Sequence, residues 1–418
     1  MGAPDHMGRR DGGDMDQVFA IPRISLQAFC ETNELAQTIN EAAIDRRMDK
    51  AHVKVQMGGA AAAVEAYRSA PTPNLILIET LADRDDLIAH LESLAEFCDS
   101  GTRVIVIGRV NDIVLYRELM GRGVSEYLVA PVSVLELIRT IAQLYNHDGA
   151  DTLGRVIAFV GAKGGVGAST ICHNVAWSIA RDLDVETAIA DLDLAFGTGG
   201  LDFNQDPPQG IAEAVFAPDR LDSGLVDRLL SRCADKLSLL AAPATLDRVY
   251  DFSETTFDAL IDILRASTPY VVLDVPHVWT SWTRRMLVCA DEVVIVAQPD
   301  LANLRNVKSM TDTLRLARPN DNRPKLVMNG IGVLKRPEIG ITEFSRAVEL
   351  EPACIIPYDA RLFGTAANNG QMIAEVESSH AIAATFSELG RAVTGRFEVK
   401  RTKKTLLDPI LARLRKRA

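Results

Sequence analysis

The sequence has no long apolar run. Across its 418 residues no stretch approaches the roughly 18 to 20 uninterrupted apolar residues that a membrane-spanning helix needs. The first twenty residues, rich in Gly, Asp and Arg, lack the apolar segment of a secretory signal. We therefore expect a cytoplasmic protein without a transmembrane segment.

Cysteine is scarce and scattered. No C-x-x-C spacing occurs, which argues against a zinc site or a disulfide framework and favours buried, reduced thiols. The six cysteines are Cys30, Cys98, Cys172, Cys233, Cys289 and Cys354.

Positive charge is also in short supply. The formal net charge is -11, whereas nucleic-acid binding needs a basic face, so we expect no sequence-specific nucleic-acid partner. The exception is residues 400–418, which carry eight Lys or Arg against one acid. Five apolar residues there have helical spacing, which predicts a basic amphipathic tail over 398–418 that lies on the inner membrane. A solvated terminus or a partner-docking segment is an equal alternative.

The length of the chain predicts two domains. After a flexible N-terminus over 1–20, residues 21–147 alternate short apolar runs with amphipathic stretches, which predicts a doubly wound parallel (βα)5 domain. Asn111 and Ser133 are the predicted N-caps of its last two helices. The five apolar runs are "ISLQAFC", "HVKVQM", "NLILIE", "RVIVIG" and "EYLVA".

This first domain resembles response-regulator receivers, most clearly at "EYLVAP". Receivers carry a lysine where Ala130 stands, and an aspartate that accepts phosphate where Glu79 stands. Glu31 stands alone where receivers have a pair of magnesium-binding acids. The resemblance therefore implies a degenerate receiver, which we expect to serve as a docking or dimerisation surface.

The predicted second α/β domain, over 153–397, follows a Gly- and Asp-rich hinge and opens with "RVIAFVGAKGGVGAST". This pattern predicts a strand, a glycine-rich loop and a helix. Gly164, Gly165 and Gly167 allow backbone N–H groups to close on phosphate oxygens, and the Ser169 hydroxyl is a candidate Mg²⁺ ligand.

Acidic residues end two later predicted strands. Asp191 and Asp193 follow "TAIA", with the spacing of two that places both on one face, and Asp274 ends "YVVLD". Such acids suit an Mg²⁺ shell or the orientation of water. The alternative for Asp191 and Asp193 is that they lie at an ordinary solvated strand end. The alternative for Asp274 is a core strand that ends in an acidic residue by chance.

Lys163 followed by Gly-Gly-Val-Gly resembles the deviant Walker A motif of the MinD/ParA family of P-loop ATPases. The resemblance implies that Lys163 reaches across an ATP-sandwich dimer and that Asp193 engages the attacking water. It also implies that Asn329 reads the adenine edge, unless it is an ordinary turn residue, with Pro357 and Asp359 near the nucleotide. Implied magnesium ligands are Ser169, Asp191 and Asp274; the implied ATP-binding loop is Lys163, Gly164, Gly165, Val166, Gly167, Ala168, Ser169 and Thr170.

The sequence departs from that family at one position. Ala168 replaces the usual second lysine, whose charge stabilises the β- and γ-phosphates in the transition state. The backbone loop and Mg²⁺ could still hold ATP in the ground state. The substitution therefore puts hydrolysis in doubt more than binding.

Four segments look specifically like the CpaE/TadZ group of the Flp (Tad) pilus system: "DVPHVWTSWTRRML", "QPDLANLRNVKSM", "NGIGVLKRPEIGI" and "PYDARLFGTAANNGQMIAE". This likeness implies an ATP- and Mg²⁺-dependent homodimer with weak or no hydrolysis. Such a scaffold would recruit pilus proteins, including the secretion ATPase, to a site that is often a cell pole. One alternative is an active MinD/ParA-type ATPase that cycles on membrane or nucleoid. Another is an iron–sulfur relative, for which Cys289 is poorly placed after Asp274.

Overall fold

The structure is a computed structural model that describes residues 21–99, 101–146, 153–207, 209–243, 245–246 and 248–396. The predicted N-terminus over 1–20 and the basic tail over 398–418 lie outside the described residues. None of the helices within these described ranges is both long and apolar enough to cross a membrane.

The first part of the chain forms the predicted five-stranded parallel sheet, in the order β2-β1-β3-β4-β5. Helices cover both faces, with a 3-10 turn at Arg46–Met48 between α1 and β2. The elements are β1 Ile24–Cys30, α1 Asn33–Ala43, β2 Ala51–Met57, α2 Gly59–Tyr67, β3 Leu75–Glu79, α3 Arg84–Ala95, β4 Arg103–Gly108, α4 Ile113–Gly121, β5 Glu126–Val129 and α5 Val134–Asn146.

One of the two predicted helix caps in this domain is confirmed. The Ser133 hydroxyl accepts a hydrogen bond from the Glu136 amide at 3.2 Å, at the start of α5. The prediction of Asn111 as a cap is wrong by one residue. Asp112 keeps the extended backbone of a cap, and its side chain accepts from the Val114 amide at 2.7 Å.

Glu79, at the position of the receiver aspartate, is buried and already hydrogen-bonded. Its Oε2 accepts from the backbone amides of Glu31 and Thr32 at 2.7 and 2.8 Å. Its Oε1 accepts from the Thr32 hydroxyl at 2.6 Å. The carboxylate therefore ties the end of β3 to the start of α1.

The second part of the chain forms an eight-stranded sheet in the order β13-β12-β11-β6-β10-β7-β9-β8. All neighbours are parallel except the edge strand β8, which runs antiparallel to β9. Its strands are β6 Arg155–Gly161, β7 Thr187–Asp191, β8 Ser231–Ala234, β9 Leu237–Leu240, β10 Tyr270–Val275, β11 Glu292–Ala297, β12 Lys325–Ile331 and β13 Pro352–Pro357.

Helices pack on both faces of this sheet and form two apolar cores, as expected for a doubly wound domain. The helices are α6 Ala168–Leu183, α7 Gly199–Asp202, α8 Ile211–Phe216, α9 Ser223–Leu229, α10 Asp258–Ser267, α11 Ser281–Cys289, α12 Leu301–Ala317, α13 Ile341–Val348, α14 Ala360–Asn369, α15 Ile373–Val376 and α16 Ala381–Thr394, with a further 3-10 turn at Pro218–Arg220.

Three adjacent strands position the candidate site. β10 lies between β6 and β7, and Asp274 on β10 is in register with Asp191 on β7. Because parallel strands end at the same edge of a sheet, the loop after β6 and both acids meet there.

Candidate nucleotide-binding site

The glycine-rich loop joins β6 directly to α6. Gly165 and Gly167 have φ values of +79° and +87°, in the left-handed region that favours glycine. α6 then begins at Ala168, so its first backbone N–H groups have no partner within the helix. A helix N-terminus of this kind suits a phosphate group.

Lys163 extends from the loop towards α12. Its side chain is 53% exposed, and its Nζ lies 3.8 Å from Oδ2 of Asp300. Asp300 is the N-cap of α12, where it accepts from the backbone and side-chain nitrogens of Asn303 at 2.8 and 2.9 Å. Burial alone would raise the pKa of Asp300, but these hydrogen bonds and the Lys163 charge lower it.

Three side chains from later segments of the chain hydrogen-bond to the loop and to the residue before it. Asn329 Nδ2 donates to the Val166 carbonyl at 2.7 Å, and Asn306 Nδ2 donates to the Ala162 carbonyl at the same distance. His277 Nδ1 donates to the Gly161 carbonyl at 2.8 Å. Sequence reasoning did not identify Asn306, because nothing in an α12 helix pattern marks one polar residue as a loop contact.

A cavity of about 310 Å³ adjoins this loop between α11 and α12. It is lined by His277 and Asn306 and by the half-exposed Trp279. Trp282, three residues after Trp279, is buried against Phe257, with ring centroids 4.8 Å apart. Trp282 therefore belongs to the core.

Asp191 and Asp274 are both buried at the strand ends. The Asp191 carboxylate accepts from the Asp193 amide at 3.2 Å and from the Gly199 amide at 3.0 Å. Burial, reinforced by the Asp274 charge, raises the pKa of Asp191 to about 7. Burial also raises the pKa of Asp274, against the opposing effects of His173 and of a hydrogen bond from Ser169.

Asp193, the candidate for engaging water, is half-buried in the turn after β7. Its Oδ1 accepts from the Phe196 amide at 3.0 Å. This contact shapes the turn, and the charge of Asp193 is close enough to raise the pKa of Asp274.

His173 is a buried residue of the site that sequence reasoning missed. Its Nδ1 donates to Oδ2 of Asp202 at 2.7 Å, and its Nε2 lies 3.6 Å from Oδ2 of Asp274. Burial would lower the pKa of His173, but Asp202, Asp274 and Asp191 outweigh it and raise that pKa. In the sequence His173 is a single histidine among the apolar residues of α6, and nothing there indicates its contacts with Asp202 and Asp274.

The Asp274 environment suits a magnesium ion. Among the described residues, Oδ2 of Asp274 is one of the few buried side-chain atoms without a hydrogen-bond partner. Within the described residues, no cluster of three or more His, Cys, Asp or Glu side chains is arranged to bind a metal ion. Mg²⁺ does not require one, since it usually takes one or two carboxylates with water and phosphate oxygens. Ser169 and Asp274 fit this arrangement, whereas Asp191 already accepts two backbone hydrogen bonds.

The remaining predicted residues lie at the ends of β12 and β13. Asn329 is on β12 and contacts the loop, and Pro357 is the last residue of β13. Asp359 is the N-cap of α14, where its side chain accepts from the Leu362 amide at 2.9 Å. Their contacts with a nucleotide base stay predictions.

Comparisons with known proteins show which families this chain is similar to. A family model described as an AAA domain matches residues 154–328. The chromosome partitioning protein ParA of Myxococcus xanthus is 30% identical over 192 residues, which are 44% of this chain and 65% of that protein. MinD of Pyrococcus horikoshii, solved with Mg-ADP, has a TM-score of 0.51 at 16% identity over 58% of this chain and 96% of its own, and shows the fold alone.

A solved structure of the pilus assembly protein CpaE from Caulobacter crescentus is 51% identical to this chain. The match covers 30% of this chain and 96% of the solved one, with a TM-score of 0.30. This identity extends over nearly the whole of the solved protein, and the order of the motifs in this chain agrees with it. The chain is a CpaE/TadZ member of the MinD/ParA family of P-loop ATPases.

Proposed function

We propose that this protein is an ATP-binding scaffold of pilus assembly, in which ATP with Mg²⁺ closes a homodimer and is hydrolysed weakly or not at all. One contrast carries the proposal. The glycine-rich loop, Ser169 and the Asp274 Oδ2 atom, which lacks a hydrogen-bond partner among the described residues, suit a nucleotide with Mg²⁺, yet Ala168 supplies no charge. When bound, Mg²⁺ would neutralise phosphate charge.

The position of Lys163 supports a role in dimerisation. Its ammonium group is half-exposed and, among the residues that the structure describes, makes only a long ion pair with Asp300, so it can leave that partner at little cost. In a sandwich dimer Lys163 would contact the phosphates bound by the second copy. ATP would then stabilise the closed dimer as a shared ligand.

The cellular role is proposed from the family. The CpaE protein of Caulobacter crescentus is a pilus assembly protein, and we propose that the closed dimer of this chain recruits pilus-assembly proteins, including the secretion ATPase. A cytoplasmic position at the inner membrane, often at a pole, would follow if residues 400–418 bind anionic lipid.

Sedimentation velocity with Mg-ATP, Mg-ADP or no nucleotide tests the dimer. We expect wild type to sediment as a dimer only with Mg-ATP, and Lys163→Ala to remain monomeric. Lys54→Ala, an exposed lysine on β2, is the matched control and should behave as wild type. Identical sedimentation of wild type and Lys163→Ala would reject the sandwich dimer.

A second candidate, an active positioning ATPase, is favoured by Asp193, whose carboxylate lies close to Asp274 in the turn after β7. In this case Lys163 alone would sustain turnover on membrane or nucleoid. Phosphate release measured with liposomes or DNA distinguishes the two candidates, because only the second predicts stimulation. A rate that neither addition changes rejects it.

A further inference from the structure

The 3-10 turn Arg46–Met48 of the receiver-like domain contacts the nucleotide-binding domain through a buried arginine. The Arg46 side chain is 9% exposed. Its Nε and Nη2 donate to the two carboxylate oxygens of Asp321 at 2.8 and 3.3 Å. Its Nη1 donates to the Cys289 carbonyl at 3.0 Å and to Asp291 at 3.2 Å. One side chain therefore contacts two separate segments of the second domain, the connection that follows α11 and the one that contains Asp321.

Further polar pairs surround Arg46 at this interface. Arg47 also binds Asp321. The remaining pairs are Asn320 to Asp45 at 3.0 Å, Arg285 to Asp49 at 2.8 Å and Lys50 to Asp262 at 2.5 Å. Opposite charges thus face each other across the contact, which fixes how the two surfaces align.

The contact completes the C-terminal end of α11. The last carbonyls of a helix lack partners within the helix, and cationic side chains there also interact favourably with its dipole. Arg318 Nη1 donates to the Leu287 carbonyl at 3.0 Å, and Arg46 donates to that of Cys289. The cap at Leu287 comes from the same domain as α11, whereas the cap at Cys289 comes from the receiver-like domain.

The other end of α11 lies beside the glycine-rich loop. Thr280 is its N-cap, and the Thr283 hydroxyl donates to the Val278 carbonyl at 2.8 Å. His277, one residue earlier, holds the Gly161 carbonyl. At 1.5 Å per residue, α11 is about 13 Å long, so it joins the domain contact to the loop.

Asp291 provides a second connection to the loop. Its Oδ1 accepts from Arg46, while its Oδ2 accepts from the Val156 amide at 2.9 Å. Val156 belongs to β6, the strand that leads into the loop. The same carboxylate therefore joins the receiver-like domain to the first strand of the nucleotide-binding domain.

We infer that the receiver-like domain stabilises the nucleotide-binding domain by binding to it within the same chain. Through Arg46 it caps the C-terminal end of α11 and so orders this helix, whose other end follows the His277 contact with the glycine-rich loop. The docking surface of the receiver-like domain is the turn between α1 and β2, and the domain acts without any chemistry at Glu79. An effect of this contact on ATP affinity would rest on the proposed function, whereas the ordering of α11 by Arg46 does not.

Hydrogen–deuterium exchange of the full-length, nucleotide-free protein tests the inference. In Arg46→Met the side chain keeps an unbranched apolar stem but loses its charge and its hydrogen-bond donors. We expect amide exchange in 281–289 to rise at least about fivefold, while β3 and β4 stay unchanged, because the loss opens α11 locally. Arg68→Met is the matched control, since Arg68 is exposed and pairs with Glu65 of its own domain at 2.9 Å.

Unchanged exchange in 281–289, or the same rise in Arg68→Met, would overturn the inference. If Arg46→Met fails to fold by circular dichroism, Arg46→Lys takes its place, because lysine keeps the charge but not the planar fork. A smaller rise confined to 281–289 is then expected, and no rise overturns the inference. The exchange measurement uses protein without nucleotide. Its outcome therefore does not depend on whether ATP causes the protein to dimerise.

Discussion

Lys163 of the glycine-rich loop pairs with Asp300, the residue that caps α12, across 3.8 Å between Nζ and Oδ2. The pair joins residues that are far apart in sequence and places a negative charge beside the lysine proposed to bind a second copy's phosphates. If Lys163 binds such a phosphate, Asp300 would compete with it for the ammonium group.

Asp300→Asn should strengthen ATP-dependent dimerisation by up to about thirtyfold, because each of the two half-exposed ion pairs released per dimer contributes at most about 1 kcal/mol. Asparagine caps helices about as well as aspartate, so α12 should stay intact. The dimer dissociation constant, measured by sedimentation with Mg-ATP, checks this. Weaker dimerisation with an unchanged unfolding midpoint would contradict the competition.

Ala168→Lys should raise the rate of ATP hydrolysis by roughly tenfold to a hundredfold, because it restores a charge beside the phosphates in the transition state. Ala168→Met is the control for side-chain bulk at the first residue of α6. Phosphate release under saturating Mg-ATP is the measurement. Equal rates for the two variants would show that the missing charge does not limit turnover.

His173→Leu should destabilise the protein by roughly 2 to 4 kcal/mol, because it leaves Asp202 and Asp274 without their buried partner. The free energy of unfolding in urea checks this. His52→Leu, at an exposed position on β2, should change stability by less than about 0.5 kcal/mol. If both variants match wild type, the His173 contacts contribute nothing to folding.

The pH dependence of stability should report the Asp321 carboxylate. Burial would raise its pKa, but the hydrogen bond and charge of Arg46, with Arg318 and Arg47, lower it to about 2. A lowered folded-state pKa gives stability that is present above the ordinary pKa of about 3.9 and is lost as pH falls towards 2.

We therefore expect Asp321 to contribute about 2 kcal/mol of pH-dependent stability that disappears between pH 4 and 2. Asp321→Asn should show a shallower fall in unfolding free energy over that window, measured with guanidinium chloride. Asp235→Asn, at an exposed position, should keep the wild-type slope. An identical slope in all three proteins would contradict the lowered pKa.

The alternation of strands and helices was predictable because burial in a parallel sheet demands apolar runs such as "LILIE". The closeness of Asp191 and Asp274 was implied only by the family resemblance, and the structure places them in register on neighbouring parallel strands. The antiparallel edge strand β8 was not predictable, because four residues carry too little periodicity to give a direction.

Contacts between distant segments were beyond sequence reasoning. Arg46 lies 275 residues from Asp321, and no local pattern distinguishes it from a solvated arginine. His173 looked like an ordinary core residue, because its partners come from β10 and α7. Cap prediction failed at Asn111 for a smaller reason: Asp112 beside it caps equally well, and backbone geometry decides between them.

The hydrogen bonds of Glu79 limit how the receiver-like domain could receive a signal. Three donors from Glu31 and Thr32 already occupy the carboxylate, so a phosphoryl group there would have to break the link between β3 and α1. Input to this domain would then arrive as a molecule that docks on its surface, and its strength would follow the concentration of that molecule and not the activity of a kinase.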